Sequence, residues 1–324
     1  MNADPASGLD VLLNRAAVTP LQDRTLLRVR GEDRVRFLQG MLANDVASLS
    51  AGRGIHALFL TEQGRVVGEL RVLALEDEIW IDVAKDRIEA VQAGLDRFLV
   101  ADDVEIEALD LTAVAVRGPA APASVSQVAG QDVQALPEGS HVALAGFGDV
   151  ARVVRIRDAG VDGFVLWVSP DAAPGLTNRL RDAGAEPVDT AVVEVLRIAK
   201  GWAREGVDFD EKTLAPEVPS LARAISYRKG CYLGQEVVER VAARGHVNWL
   251  VMRLEGNGAP PVPGTPVREN DAEVGRVSSS AATENGKFSS IARIRRTAAT
   301  VGTALLVGEG GSAVEVHVAE TPSP

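Results

Sequence analysis

Lys229-Gly230-Cys231-Tyr232-Leu233-Gly234-Gln235-Glu236 gathers the chain's single cysteine, two glycines, a lysine, a tyrosine and a carboxylate in one short stretch. The glycines allow backbone angles or close approaches that a side chain would obstruct, and the run Gln235 to Ala243 reads as helical. Cys231 is therefore expected just before a helix. There the free N–H groups and the partial positive charge favour a thiolate, and Lys229 adds a cation two residues away. The same residues also fit a small buried hydrophobe in a tight turn, since free cysteines are among the most buried side chains. Local chemistry leaves both readings open.

Working outward, the preceding chain alternates strand and helix patterns. Leu26 to Arg30 alternates as a strand, and Gly31-Glu32-Asp33 opens a helix with Val35, Phe37, Leu38, Met41 and Leu42 near helical spacing, ending at Asn44-Asp45-Val46. Ile55 to Leu60, Val66 to Leu75 and Ile79 to Val83 form a meander of strands, Asp86 to Leu99 is helical, and Val104 to Ile106 resumes a strand. A second set follows. Thr112 to Val116, Ala151 to Ile156 and Gly163 to Val168 read as strands, and Gly175 to Ala183 and Thr190 to Lys200 as helices, with Pro119 to Gly148 weakly patterned between them. From Asn248 onward short alternating runs with frequent glycine and proline predict a small antiparallel barrel. Sheets with helices on one face make this an α+β fold. The expected domains are an N-terminal α+β subdomain over 1–110, a second over 111–246 that carries the cysteine motif, and a barrel over 247–324.

At 324 residues there is material for two or three domains, and 46% hydrophobic with 24% charged residues excludes a disordered or fibrous chain. Net charge is −11, which disfavours a broad phosphate-binding surface, so direct broad binding of nucleic acid is not expected, while a local basic pocket stays open. One cysteine excludes an internal disulfide, and with His56, His141, His246 and His317 dispersed, no metal site is expected within one subunit. Met1 to Pro5 lacks the pattern of a secretion or transit signal, and no window reaches the roughly 18 apolar residues that span a bilayer. A cytoplasmic protein with no membrane partner is expected.

Extended through Val237-Val238-Glu239-Arg240 and Arg244-Gly245, the opening stretch reads K-G-C-Y-x-G-Q-E and resembles the signature of the YgfZ family of folate-binding proteins, relatives of the glycine cleavage T-protein, an aminomethyltransferase. F-L-Q-G-M-L-A-N-D-V, residues 37–46, resembles a motif shared by both groups. Leu196 to Gly201 is similar to their L-R-I-x-x-G helix end, Gly206 to Glu217 to the loop before the cysteine motif, and V-G-R-V-S-S, residues 274–279, to the C-terminal barrel.

The resemblance implies two related subdomains around a central opening that holds tetrahydrofolate or a folate derivative. It also implies an accessory role in the assembly or repair of iron–sulfur enzymes, with iron–sulfur proteins or assembly factors as partners and an indirect effect on tRNA thiolation. Cys231 and Lys229 would carry the chemistry, supported by Gly230, Tyr232, Gly234, Gln235, Glu236 and Arg240. Glu69, in Gly64 to Leu70, falls where related T-proteins place a carboxylate facing the folate ring. That residue is typically aspartate, and the longer glutamate moves its oxygens enough to matter for a chemical step. Glu217 is a second carboxylate candidate and Trp202 a candidate for stacking a flat ring; each also fits an ordinary structural role. The alternative activity is that of a tetrahydrofolate-dependent aminomethyl- or methyltransferase with Glu69 as its acid–base group. A folate sensor without catalysis is a third possibility.

Overall fold

The structure, a computed structural model, describes residues 5–245, 247–310 and 313–321. The chain forms two compact units: Met1–Phe59, Val67–Val193 and Ser226–Leu233 make up the first, and Leu60–Val66, Glu194–Ile225 and Gly234–Pro324 the second.

The first unit opens with α1 (Pro5–Asn14) and β1 (Ala17–Leu21), two elements not expected in the short lead before Leu26. Then comes a run of β2 (Arg24–Arg30), α2 (Arg34–Met41), β3 (Arg53–Leu60), β4 (Val66–Ala74), β5 (Ile79–Ala84), α3 (Ile88–Asp96) and β6 (Glu105–Leu109). The same order repeats in β7 (Thr112–Arg117), α4 (Ala121–Ala129), β8 (His141–Ala143), β9 (Arg152–Asp158), β10 (Val161–Val168), α5 (Ala173–Asp182) and β11 (Glu186–Pro187). The first repeat makes a five-stranded sheet in the order β3-β4-β5-β2-β6, and the second a sheet in the order β8-β9-β10-β7-β1-β11. The two orders coincide except that β1 is inserted between β7 and β11. It pairs antiparallel with β7 and parallel with β11.

Alternation along β4 decides the layering. Gly68, Leu70 and Val72 face the helices, packing with Phe37 and Leu38 of α2 and Val91 and Leu95 of α3. A Cβ at position 68 would lie 2.6 Å from the Val91 side chain, so α3 approaches the sheet only over glycine. The opposite face meets the other sheet: Leu26, Leu73 and Trp80 pack against Val154, Ile156, Val165 and Trp167. The helices α4 and α5 cover the outer face of the second sheet. The first unit is thus a helix–sheet–sheet–helix stack. Val35, counted in the apolar stripe of α2, is 37% exposed, and that helix stops at Met41 rather than at Asn44-Asp45-Val46.

A chain of ion pairs also crosses the seam between the sheets. Asp82, with a side chain 3% exposed, accepts from Arg24 at 2.6 Å and Arg71 at 3.0 Å. Arg71 reaches Asp158 at 3.5 Å, and Arg117 clasps Asp158 with two bonds of 2.8 and 3.0 Å while donating to Thr19 of β1 at 2.7 Å. Burial alone would raise the Asp158 carboxyl, but Arg117 and its neighbours hold it below the usual carboxylate range.

In the second unit, α6 (Thr190–Ala199) brings in the chain, α7 (Gln235–Arg244) follows the cysteine motif, and six strands close a barrel. These are β12 (Trp249–Asn257), β13 (Pro266–Glu269), β14 (Ala272–Ala282), β15 (Lys287–Arg295), β16 (Ala304–Val307) and β17 (Val314–Ala319), all antiparallel, in the order β12-β15-β14-β13-β16-β17. The α+β class with its barrel matches the expectation; β17, beyond the Gly-rich run from Gly308, was not anticipated. Among the described residues no helix is long and apolar enough to cross a membrane.

Removing one member of a buried ion pair leaves a charge without compensation, so Asp82→Ala is expected to lower the unfolding free energy by about 3 kcal/mol. Urea denaturation measures it, and a loss below about 1 kcal/mol would show the seam to rest on its apolar contacts alone.

Candidate functional site

The end of α2 leaves backbone carbonyls without helical partners, as every helix end does. The segment Ser226–Leu233 supplies them. Lys229 Nζ donates to the carbonyls of Gln39, Leu42 and Asn44 at 2.6, 2.7 and 2.9 Å, so all three ammonium N–H groups are committed. The Ser226 N–H donates to Ala43 and the Leu233 N–H to Gly40, at 2.9 and 3.0 Å. The buried Tyr232 ring lies 5.3 Å from the ammonium. Burial draws the Lys229 pKa down to about 8, with Asp45 opposing, so the charged form still dominates at neutral pH. Lys229 was expected to activate the thiol. Its geometry makes it the clamp that joins the K-G-C-Y segment to the F-L-Q-G-M-L-A-N-D-V segment.

Cys231 is exposed, and α7 begins only at Gln235. Gly234 caps that helix with φ +82°, and a Cβ there would sit 2.5 Å from the Thr61 carbonyl oxygen. Gly230 has no such requirement, because its φ is not positive and an added Cβ would meet nothing within 4 Å. Gln235 donates to Glu239 and Arg240 to Glu236, both at 2.6 Å. These pairs four residues apart brace α7. His246, the nearest histidine in sequence, lies outside the described residues. Among the described residues no group of three or more His, Cys, Asp or Glu side chains is placed to hold a metal.

Glu69 on β4 accepts a hydrogen bond from His56 on β3, Oε1 and Nε2 being 2.8 Å apart with side chains 19% and 13% exposed. Burial pushes the Glu69 carboxyl up, but the His56 bond and the charges of His56, Arg24 and Arg71 outweigh it and bring the pKa down to about 2. A carboxylate held ionised in this way is a hydrogen-bond acceptor and a counter-charge at neutral pH. In the sequence His56 is one of four dispersed histidines, and a single histidine in an apolar run carries no sign of its partner.

In the second unit Glu217 is buried and accepts from Arg293 at 2.8 Å; burial raises its pKa, with Arg293 pulling the other way. Arg293 and Arg295 lie 5.1 and 4.1 Å over the Trp249 ring. Trp202 is half-buried and carries Arg223 4.6 Å over its ring, so a flat ligand would have to share or displace that cation. A further node links three of the quoted motifs. Arg197 donates all five N–H groups, to Glu194 twice, the Trp202 carbonyl, Asp208 and Ser279. Asp208 in turn accepts from Ser278 and Ser279 at the bulge in β14. L-R-I-x-x-G, G-V-D and V-G-R-V-S-S are therefore parts of one buried polar anchor.

Residues 11–229 match the GCVT N-terminal domain family. This chain is a member of that family. Among the relatives of this GCVT chain are a chloroplastic protein of Arabidopsis thaliana named as a transferase, 27% identical over 97% of this chain and 72% of that protein, and the aminomethyltransferase of Thermus thermophilus, 29% identical over 78% of this chain and 71% of that one. The aminomethyltransferase of Rubrobacter xylanophilus is 28% identical over 77% and 68%. The crystal structure of glycine cleavage system aminomethyltransferase T from Bartonella henselae superposes with a TM-score of 0.88 at 19% identity, over 98% of this chain and 89% of that one, which establishes the shared fold.

The two glycines of the motif separate a backbone role from a functional one. Gly234→Ala is expected to destabilise by roughly 1–3 kcal/mol, from left-handed strain and the Thr61 contact. Gly230→Ala should stay within about 0.5 kcal/mol of the parent in thermal unfolding. Equal losses at both positions would contradict this description of the turn.

Proposed function

We propose that the chain binds a reduced folate, tetrahydrofolate or a derivative, and acts on one-carbon units as a tetrahydrofolate-dependent aminomethyl- or methyltransferase. The observation that carries this reading is the GCVT family match over residues 11–229, with an ionised carboxylate at Glu69 inside it. A pterin edge presents adjacent N–H donors, and a carboxylate held in its charged form is the acceptor they need. The donor set therefore fits the group. Bound tetrahydrofolate would supply a ring nitrogen able to take up a one-carbon unit; Glu69 would anchor and orient the pterin.

The exposed Cys231 within K-G-C-Y-x-G-Q-E favours a second reading, in which a folate-binding protein of the YgfZ type supports the assembly or repair of iron–sulfur enzymes. In that reading folate still binds, but the thiol acts on partner proteins and tRNA thiolation is affected indirectly.

Titration with tetrahydrofolate, followed by tryptophan fluorescence, tests the shared element. Binding is expected, weakened about tenfold or more in Glu69→Ala, which corresponds to about 1.4 kcal/mol. Absence of binding by the unaltered protein would overturn both readings. Folate-dependent release of a one-carbon unit from an aminomethyl or O-methyl donor supports the first. Its absence, together with loss of radical-type tRNA-thiolating activity in a deletion strain carrying Cys231→Ala, supports the second.

A further inference from the structure

Glu69 shares its strand face with Arg71, and its position is built from several directions. His56 reaches it from β3 through Nε2 at 2.8 Å. The charges that bear on Glu69 besides His56 are Arg24 of β2 and Arg71 of β4, and Arg71 in turn faces Asp82 of β5 and Asp158 of β9. Arg24 and Arg71 are themselves bonded to Asp82, so their charge is already shared with another carboxylate. His56 is the neighbour whose hydrogen bond to Glu69 is directional. Its backbone is fixed as well: the His56 carbonyl accepts from Asn44 Nδ2 at 2.7 Å, and the Asn44 carbonyl accepts from Lys229 Nζ at 2.9 Å. One hydrogen-bonded path therefore runs from the K-G-C-Y segment through Asn44 and His56 to Glu69, within the first unit.

We propose that His56 is a positioning residue for Glu69, orienting its carboxylate so that it meets the pterin N–H groups as a preformed acceptor; this rests on the folate-binding reading. A flexible glutamate has a longer side chain to immobilise than the aspartate typical of related T-proteins, and a bonded partner removes that freedom before the ligand arrives.

The pair also has a sign that can be checked without ligand. The Glu69 carboxyl titrates near 2 in the folded protein against an ordinary 4.5, so its contribution to stability is fully present above about pH 5 and is lost as pH falls toward 2.

The experiment compares the unaltered protein with His56→Ala and His56→Gln. Carbon-13 NMR of labelled glutamate carboxyls, with the Glu69 signal assigned from Glu69→Gln, reads the titration in the absence of ligand. Tetrahydrofolate binding is measured between pH 5.5 and 8.5. In His56→Ala the Glu69 titration is expected to rise by about one unit or more and tetrahydrofolate to bind about tenfold more weakly. His56→Gln keeps an N–H donor without the charge. It should recover most of the affinity and only part of the displaced titration, a pattern that loss of packing would not produce. Normal binding by the unaltered protein with neither readout moved by His56→Ala overturns the role of His56. No tetrahydrofolate binding by the unaltered protein, with the titration still displaced in His56→Ala, overturns the folate reading.

Discussion

The bonds from the Lys229 ammonium to three backbone carbonyls are the interaction on which the first unit's candidate site depends. A helix that ends at Met41 exposes carbonyl groups which, left dry and unpaired, each carry a cost on the order of 1–3 kcal/mol. A lysine is suited to this because its three donors diverge from a single atom and its positive charge complements the negative end of the helix. Segments almost two hundred residues apart in sequence are thereby held together, and Cys231 is carried on the connection.

A second constraint is charge balance at the seam between the two sheets. Three arginines, Arg24, Arg71 and Arg117, stand against Asp82, Asp158 and Glu69, and His56 completes the set. Such a group specifies how the sheets meet, because any displacement parts opposite charges in surroundings of low polarity. It also explains why Glu69 stays ionised. The carboxylate suited to a pterin belongs to the same electrostatic structure that holds the repeats in register.

Much of this architecture was legible in the chain. The strands of the meander and most of the barrel announced themselves through two-residue alternation, and α7 through its spacing and the glycine at its start. What escaped notice has physical reasons. Ala17-Val18-Thr19-Pro20-Leu21 is short and contains a proline, so it reads as a connection, yet it is a strand between β7 and β11. Val314 to Ala319 follows a glycine-rich run that interrupts any pattern. At the candidate site, Lys229 was interpreted through its neighbour Cys231, whereas its partners lie 185 to 190 residues away. His56 and Glu69 are thirteen positions apart on adjacent strands, and only their pairing shows that they form a unit. Long-range polar partners leave no local periodicity, whereas apolar faces do.

The most direct measurement is hydrogen exchange by mass spectrometry on Lys229→Met, combined with its unfolding free energy. The substitution keeps an apolar stem of similar length and removes the donors. If the ammonium is the clamp, exchange rises together in residues 38–46 and 226–233, and stability falls by about 2–4 kcal/mol. Exchange unchanged in residues 38–46, with stability within about 0.5 kcal/mol of the parent, would contradict it and return Lys229 to the thiol beside it.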